Sequence, residues 1–175
     1  PDLITAMAQG SSVGIHRQTA PGVFAARQLV STDSSDTRRI VAADFNSDGK
    51  TDLAVSHASG EVVLLRNTST AGVILFTKDP ALSVSAPCFS LAAADLDADG
   101  QDDLIAGMSN SSFVRVWRNT SGGTALAFGT PIDLAVEGGV YSVAVGDLNG
   151  DGKVDIAAAH GSSAGKVSLL PNTHV

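Results

Sequence analysis

Cysteine is almost missing from this sequence: Cys88 stands alone, so no disulfide can form within the chain. Its neighbours Ala86, Pro87 and Phe89 mark it as a small buried hydrophobe rather than a reactive thiol. Aromatic residues amount to 5% against 43% hydrophobic residues, so the core has to be built mainly from Ala, Val and Leu. No apolar run reaches the roughly 18 residues that a membrane-crossing helix needs. Basic residues are also scarce, 11 against 18 acidic ones, and a net charge of −7 excludes nucleic acid as the partner. Phosphate binding needs clustered Lys and Arg, which this chain lacks. Glutamate is nearly absent, with only Glu61 and Glu137, so 16 of the 18 acids are aspartates. Aspartate disfavours helices and strands but suits tight, oxygen-rich loops. No initiator methionine or recognisable signal peptide opens the chain, and a start at Pro1 implies that something upstream was removed.

What is present is a repeat with a period near 51 residues in a chain of 175, enough for one domain with a real core. The segments Val41–Val55, Ala92–Ala106 and Ala144–Ala158 share the pattern small-small-Asp-x-[Asp/Asn]-x-Asp-Gly-x-x-Asp-apolar. Asp2, followed by Leu3-Ile4-Thr5, reads as the tail of a further, truncated copy. Each repeat has a second half: Val62–Thr68, Val114–Thr120 and Val167–Thr173 end in Asn-Thr, and Val13–Thr19 is a weaker version. A Gly/Ser/Thr turn follows, then a Phe (Phe24, Phe76, Phe128) that is expected to open another extended run. No segment keeps a 3.6-residue period, and short β-rich runs broken by Gly, Ser, Asn and Asp predict an all-β array.

We label the expected strands of each repeat a to d: a before the loop, b after it, c ending near Asn-Thr, d opening at the Phe. The units are then 1–37 (lacking a), 38–86, 87–138 and 139–175 (lacking d), about 3.5 repeats with 14 strands. Small residues recurring in strand a suit the inner strand of a blade converging on an axis. Four antiparallel strands per unit and this period predict β-propeller blades, forming either a four-bladed ring or part of a larger propeller. A solenoid is the second choice, since its repeats are usually shorter. The ends of the chain both supply b and c, so closure into one ring is not expected. A partial propeller would leave apolar blade faces uncovered and should self-associate or pair with another propeller fragment.

The repeated loop has the donor set of a calcium site. Ca²⁺ takes six to eight oxygens at about 2.3–2.6 Å, and a nine-residue loop can supply them from positions 1, 3, 5 and 9 and the carbonyl of position 7. Those positions are Asp44, Asn46, Asp48, Lys50 and Asp52 in the first loop. They are Asp95, Asp97, Asp99, Gln101 and Asp103 in the second, and Asp147, Asn149, Asp151, Lys153 and Asp155 in the third. Gly49, Gly100 and Gly152 occupy position 6, where the chain must turn sharply. Three ions would bring the formal charge from −7 to −1. An EF-hand is rejected, because position 12 is Val55, Ala106 or Ala158 instead of Glu and no amphipathic helix flanks the loop. A metal-free Asp/Asn/Gly turn is disfavoured by three copies of carboxylates that would repel one another.

The loop, its strand–loop–strand setting and the following Val-x-Leu-Leu-x-Asn-Thr resemble the FG-GAP/VCBS repeat of integrin α-subunit propellers and many secreted bacterial proteins. The family's Phe-Gly…Pro signature survives only as Phe128-Gly-Thr-Pro131, while Phe24-Ala and Phe76-Thr depart from it, which favours a VCBS-like branch. The resemblance implies structural calcium on one face and partner binding on the other. That second face would comprise His57–Gly60, Met108–Ser112 and His160–Gly165, with Ser31–Thr37, Ala81–Pro87 and Asp133–Gly139. The implied role is a secreted or cell-surface protein-binding or adhesion module, not an enzyme. A lectin and an accessory domain of a secreted enzyme are the alternatives. Against a lectin, no aromatic residue recurs at one surface position per repeat. The histidines His16, His57, His160 and His174 form no catalytic pattern. His57 and His160 share a position that holds Met7 and Met108 in the other copies, which reads as packing. Trp117 shares its position with Leu65 and is expected in the core.

Overall fold

The computed structural model describes residues 2–7, 10–84, 86–161 and 165–173. His174, Ser85 and residues 162–164 of the segment after His160 therefore lie outside the described residues. Among those described, every regular element is a β-strand. β1 (Leu3–Ala6), β2 (Ser12–His16), β3 (Gln18–Ala20), β4 (Val23–Phe24) and β5 (Gln28–Ser31) come from the first unit. There β1, β2 and β5 make an antiparallel sheet, while β3 and β4 form a separate hairpin. β6 (Thr37–Ala43), β7 (Asp52–His57), β8 (Glu61–Asn67) and β9 (Phe76–Ser83) form the second sheet in chain order. β10 (Cys88–Ala94), β11 (Asp103–Met108), β12 (Phe113–Trp117) and β13 (Ile132–Ala135) form the third. β14 (Val140–Gly146), β15 (Asp155–His160) and β16 (Val167–Leu170) form the fourth. Every pairing is antiparallel, as sequential hairpins require.

Two details differ from the expectation. The Ala20-Pro21-Gly22-Val23 stretch adds the β3–β4 hairpin, giving 16 strands among the described residues where 14 were expected in the chain. Proline presets φ at the first corner of the turn and Gly22 takes φ +73° at the second. Consequently Phe24 belongs to that hairpin, and strand d of the first unit starts later, at Gln28. In the third unit Phe128 makes only an isolated bridge to Asn119, and the strand begins at Ile132, past Gly129 and Pro131. Proline lacks the amide hydrogen that a ladder position would use. Only Phe76 opens a strand as expected.

The core lies between the sheets. Alternation sends Leu53, Val55, Val63 and Leu65 toward the first sheet, where Val13 and Ile4 meet them. The other face of the second sheet, with Ala54, Val62 and Leu64, packs on Leu104, Ala106, Met108 and Trp117 of the third. Ile105, Val114 and Val116 face Val140, Ile156 and Ala158 of the fourth. Trp117 is buried between sheets, as its place opposite Leu104 suggests, and Cys88 is fully buried with its thiol pushed up to about 11 by that burial. The first-in-sheet strands β6, β10 and β14 adjoin one another, which their runs of Ala and Gly permit. Among the described residues no strand pairing joins the first sheet to the last.

Candidate metal loops and the opposite surface

The three Asp-rich loops link β6 to β7, β10 to β11 and β14 to β15, between the paired residues Ala43 and Asp52, Ala94 and Asp103, Gly146 and Asp155. In the first loop the Asp44 carboxylate accepts the Asp48 and Gly49 N–H groups at 3.0 and 2.8 Å. Asp95 does the same with Asp99 and Gly100 at 3.1 and 2.9 Å, and Asp147 with Asp151 and Gly152 at 3.1 and 2.9 Å. Position 3 (Asn46, Asp97, Asn149) accepts the position 5 N–H, and position 5 (Asp48, Asp99, Asp151) accepts the N–H of Lys50, Gln101 or Lys153. These bonds wind each loop tightly around its first aspartate. Position 6 has φ of +82°, +90° and +84° at Gly49, Gly100 and Gly152. Position 4 is also left-handed, at Ser47 (+60°), Ala98 (+61°) and Gly150 (+82°), a feature signalled in the sequence only by the third glycine.

The closing aspartates play a second part. Asp52, Asp103 and Asp155 are buried, and each divides its carboxylate between two strands. One oxygen accepts the position 2 N–H (Phe45, Leu96, Leu148) at 3.0–3.2 Å, and the other accepts the N–H of Asn67, Asn119 or Asn172 at 2.7 Å. Asp2 accepts the Gln18 N–H at 2.8 Å in the same manner, so it is the closing residue of the truncated copy. Burial raises the pKa of Asp52 and of Asp103 above the usual carboxylate value, against the lowering effect of those N–H bonds. Asp147 is held below it by the Gly152 and Gly150 N–H groups.

The asparagine that these residues meet is a structural element the sequence reading passed over. Asn119 Nδ2 donates to Asp102 O at 2.9 Å and to Phe45 O of the preceding repeat at 2.8 Å. Asn172 Nδ2 likewise donates to Leu96 O at 2.6 Å. One asparagine thus ties its own loop and the neighbouring one together. The recurring Asn-Thr was the visible signal.

The residues fit a hard cation. In the second loop one carboxylate oxygen from each of Asp95, Asp97 and Asp99 lies within 4.8 Å of the others. Oxygens on opposite sides of an ion at about 2.4 Å would be about that far apart. The first and third loops have the amide oxygens of Asn46 and Asn149 in place of the middle carboxylate. Arg118 is paired with Asp97, a contact that an ion would compete with.

At the other ends of the strands, His57 is fully buried and its Nδ1–H donates to Ser35 O at 3.3 Å; burial holds its pKa below the ordinary value. Its counterpart His160 donates from Nδ1 to Gly138 O at 3.0 Å and accepts from the Ser168 hydroxyl at Nε2, 2.8 Å away. Both serve packing, as does the fully buried Met108. One position near these strand ends carries an aromatic in two of the repeats, though not in every one. Phe89 and Tyr141 stand at equivalent positions, six residues before Asp95 and Asp147, and their ring centroids are 5.4 Å apart. Arg38 holds the same position before Asp44, with Cζ 5.4 Å from the Phe89 centroid.

Comparison with known proteins yields a consistent picture. The sequence model of the FG-GAP-like repeat matches residues 44–106 and again 95–158. Cartilage acidic protein 1 of Homo sapiens is 33% identical over 135 residues, which cover 72% of this chain and 20% of that protein. The Mus musculus protein of that name is 33% identical over 135 residues, and the Xenopus tropicalis protein 30% over 136. The chain spans about a fifth of the length of these relatives.

Proposed function

The chain belongs to the FG-GAP-like repeat family, and from that premise we propose that it is a calcium-stabilised, extracellular β-propeller segment that acts as a protein-binding module rather than an enzyme. The observation that carries this reading is the threefold recurrence of an all-oxygen loop with one hydrogen-bond pattern. Three Ca²⁺ ions would be held, one per loop, by positions 1, 3, 5 and 9 and the carbonyls of Lys50, Gln101 and Lys153. Their part is structural: they neutralise carboxylates crowded at the ends of strands and fix the angle between a and b. Cytosolic free calcium is too low for loops of the extracellular class, with dissociation constants around 10⁻⁴–10⁻³ M, which supports secretion or surface display. The relatives are named for cartilage and for acidity, and this chain is likewise acidic at −7.

The partner surface in this reading is the end of the blades away from the loops. A second contact surface is the outer face of the fourth sheet. Val167 and Leu169 are 58% and 62% exposed there, while their counterparts Val62, Leu64, Val114 and Val116 are buried under the next sheet. That face suits pairing with another propeller segment or a second copy.

Chelation tests the proposal. At ~1–2 mM calcium and a ~0.1 mM site, each ion adds roughly 1.5 kcal/mol. Three ions would raise the melting temperature by roughly 10–15 °C for a domain of this size. EDTA should remove that increment and Mg²⁺ should restore little of it, since Mg²⁺ prefers a tighter octahedral shell. An unchanged melting curve in EDTA contradicts the proposal.

A further inference from the structure

The equivalent residues Arg38, Phe89 and Tyr141 deserve a function of their own. Each sits at an interruption in the β-ladder: pairing passes from Thr37 to Arg39, from Cys88 to Ser90 and from Val140 to Ser142, skipping the residue between. A bulge of this kind re-aims one side chain out of the regular alternation. Here three consecutive sheets each place a bulge at the same point, and the three side chains form a continuous stack. Phe89 and Tyr141 meet at 5.4 Å with a 44° tilt, and the Arg38 guanidinium covers the Phe89 ring at 5.4 Å. The bulges lie at the strand ends remote from the Asp-rich loops, about 20 Å away at ~3.4 Å per residue.

The outer end of the stack is open. Tyr141 is 49% exposed. It lies against Gly161, where a Cβ would overlap the Tyr141 ring and displace it. Gly161 N–H in turn donates to Gly139 O at 3.3 Å, and a Cβ on Gly139 would clash with the backbone carbonyl of Ser109 in the turn after β11. An exposed aromatic ring packed beside the Gly161 backbone and against Phe89 leaves about half of its surface to a flat ligand.

The surrounding charges select the ligand. Arg38 is paired with Asp36 at 2.6 Å and Glu137 with Lys166 at 2.6 Å. A phosphate or sulfate would have to break the first pair against a chain of net charge −7. A neutral pyranose needs neither. Its apolar face of C–H groups matches an aromatic π-face, and its rim of hydroxyls matches the donor and acceptor of the Arg38–Asp36 pair.

We propose that Arg38, Phe89 and Tyr141 form a stacking platform for the C–H face of a neutral pyranose, including one carried on a glycoprotein partner. The inference rests on the proposed function only for placing ligands at the blade ends remote from the loops, and calcium takes no part in it.

The test is saturation-transfer difference NMR on the native, calcium-loaded protein with methyl glucopyranoside, galactopyranoside, mannopyranoside and N-acetylglucosaminide. At least one should receive saturation, strongest at the C–H protons of a single ring face. Tyr141→Ser and Phe89→Ala should each weaken that transfer at least tenfold. Emission from the single tryptophan, buried Trp117, should stay unchanged and so show that the variants remain folded. Absence of transfer to all four sugars overturns the proposal and leaves the surface to protein contacts alone. Transfer of equal strength in Tyr141→Ser overturns it as well. Because no arm varies calcium, either result leaves the chelation test of the loops independent.

Discussion

Replacing Asn119 by alanine isolates the bond that couples neighbouring repeats. The wild-type side chain makes three hydrogen bonds: Nδ2 to Phe45 O and to Asp102 O, and Oδ1 from the Ser121 N–H at 2.9 Å. The residue is 2% exposed, so water cannot fully replace these partners. At about 1 kcal/mol per lost bond, Asn119→Ala should cost roughly 3 kcal/mol. Asn67 is the internal control. It bonds Thr51 O at 2.9 Å and accepts from Ser69 N–H at 3.0 Å, both within its own repeat and nearer to solvent. Asn67→Ala should therefore cost only about 1–2 kcal/mol. The backbone bonds from residues 67 and 119 to Asp52 and Asp103 survive in both variants. With a urea m-value near 2 kcal/mol/M, the Asn119 variant should lose about 1.5 M in its unfolding midpoint, clearly more than the Asn67 variant. Equal losses would refute the idea that the Phe45 bond locks one repeat to the next.

Two further outcomes follow from the backbone of the loops and the open face of the fourth sheet. Ala98 pays for a left-handed backbone at φ +61°, so Ala98→Gly should stabilise by roughly 0.5–1 kcal/mol in chemical denaturation, and Gly150→Ala should lose a similar amount. The double change Val167→Ser, Leu169→Ser removes the apolar side chains from the outer face of the fourth sheet. Sedimentation velocity should then show self-association weakened at least tenfold, whereas a wild-type chain that stays monomeric at high concentration would count against that face as a contact surface.

Most of the fold was legible because the repeat supplied its own alignment. Three copies fixed where strands begin and end around the loops, and Asp2 was readable as the end of a further copy from the Leu-Ile-Thr after it. What escaped were features decided by tertiary neighbours. Phe24 and Phe128 look like Phe76 in sequence, but a Pro-Gly turn captures the first and Gly129 with Pro131 delays the strand after the second. The loop donors were visible as residue types, while the double use of the closing aspartates was not, since it depends on where strand c lies. The Arg38, Phe89, Tyr141 stack was hidden for a simpler reason. Its members are chemically different, and only the shared bulge shows that they occupy one position.

The central claim is that each Asp-rich loop holds its own calcium ion. A crystal grown in millimolar calcium and measured for anomalous scattering tests it most directly. Three peaks are predicted, one in each loop, within about 2.3–2.6 Å of oxygens from Asp44, Asn46, Asp48 and Asp52 and from their counterparts in the other two loops. Peaks between loops, at other residues, or in fewer than two of the three loops would contradict the account.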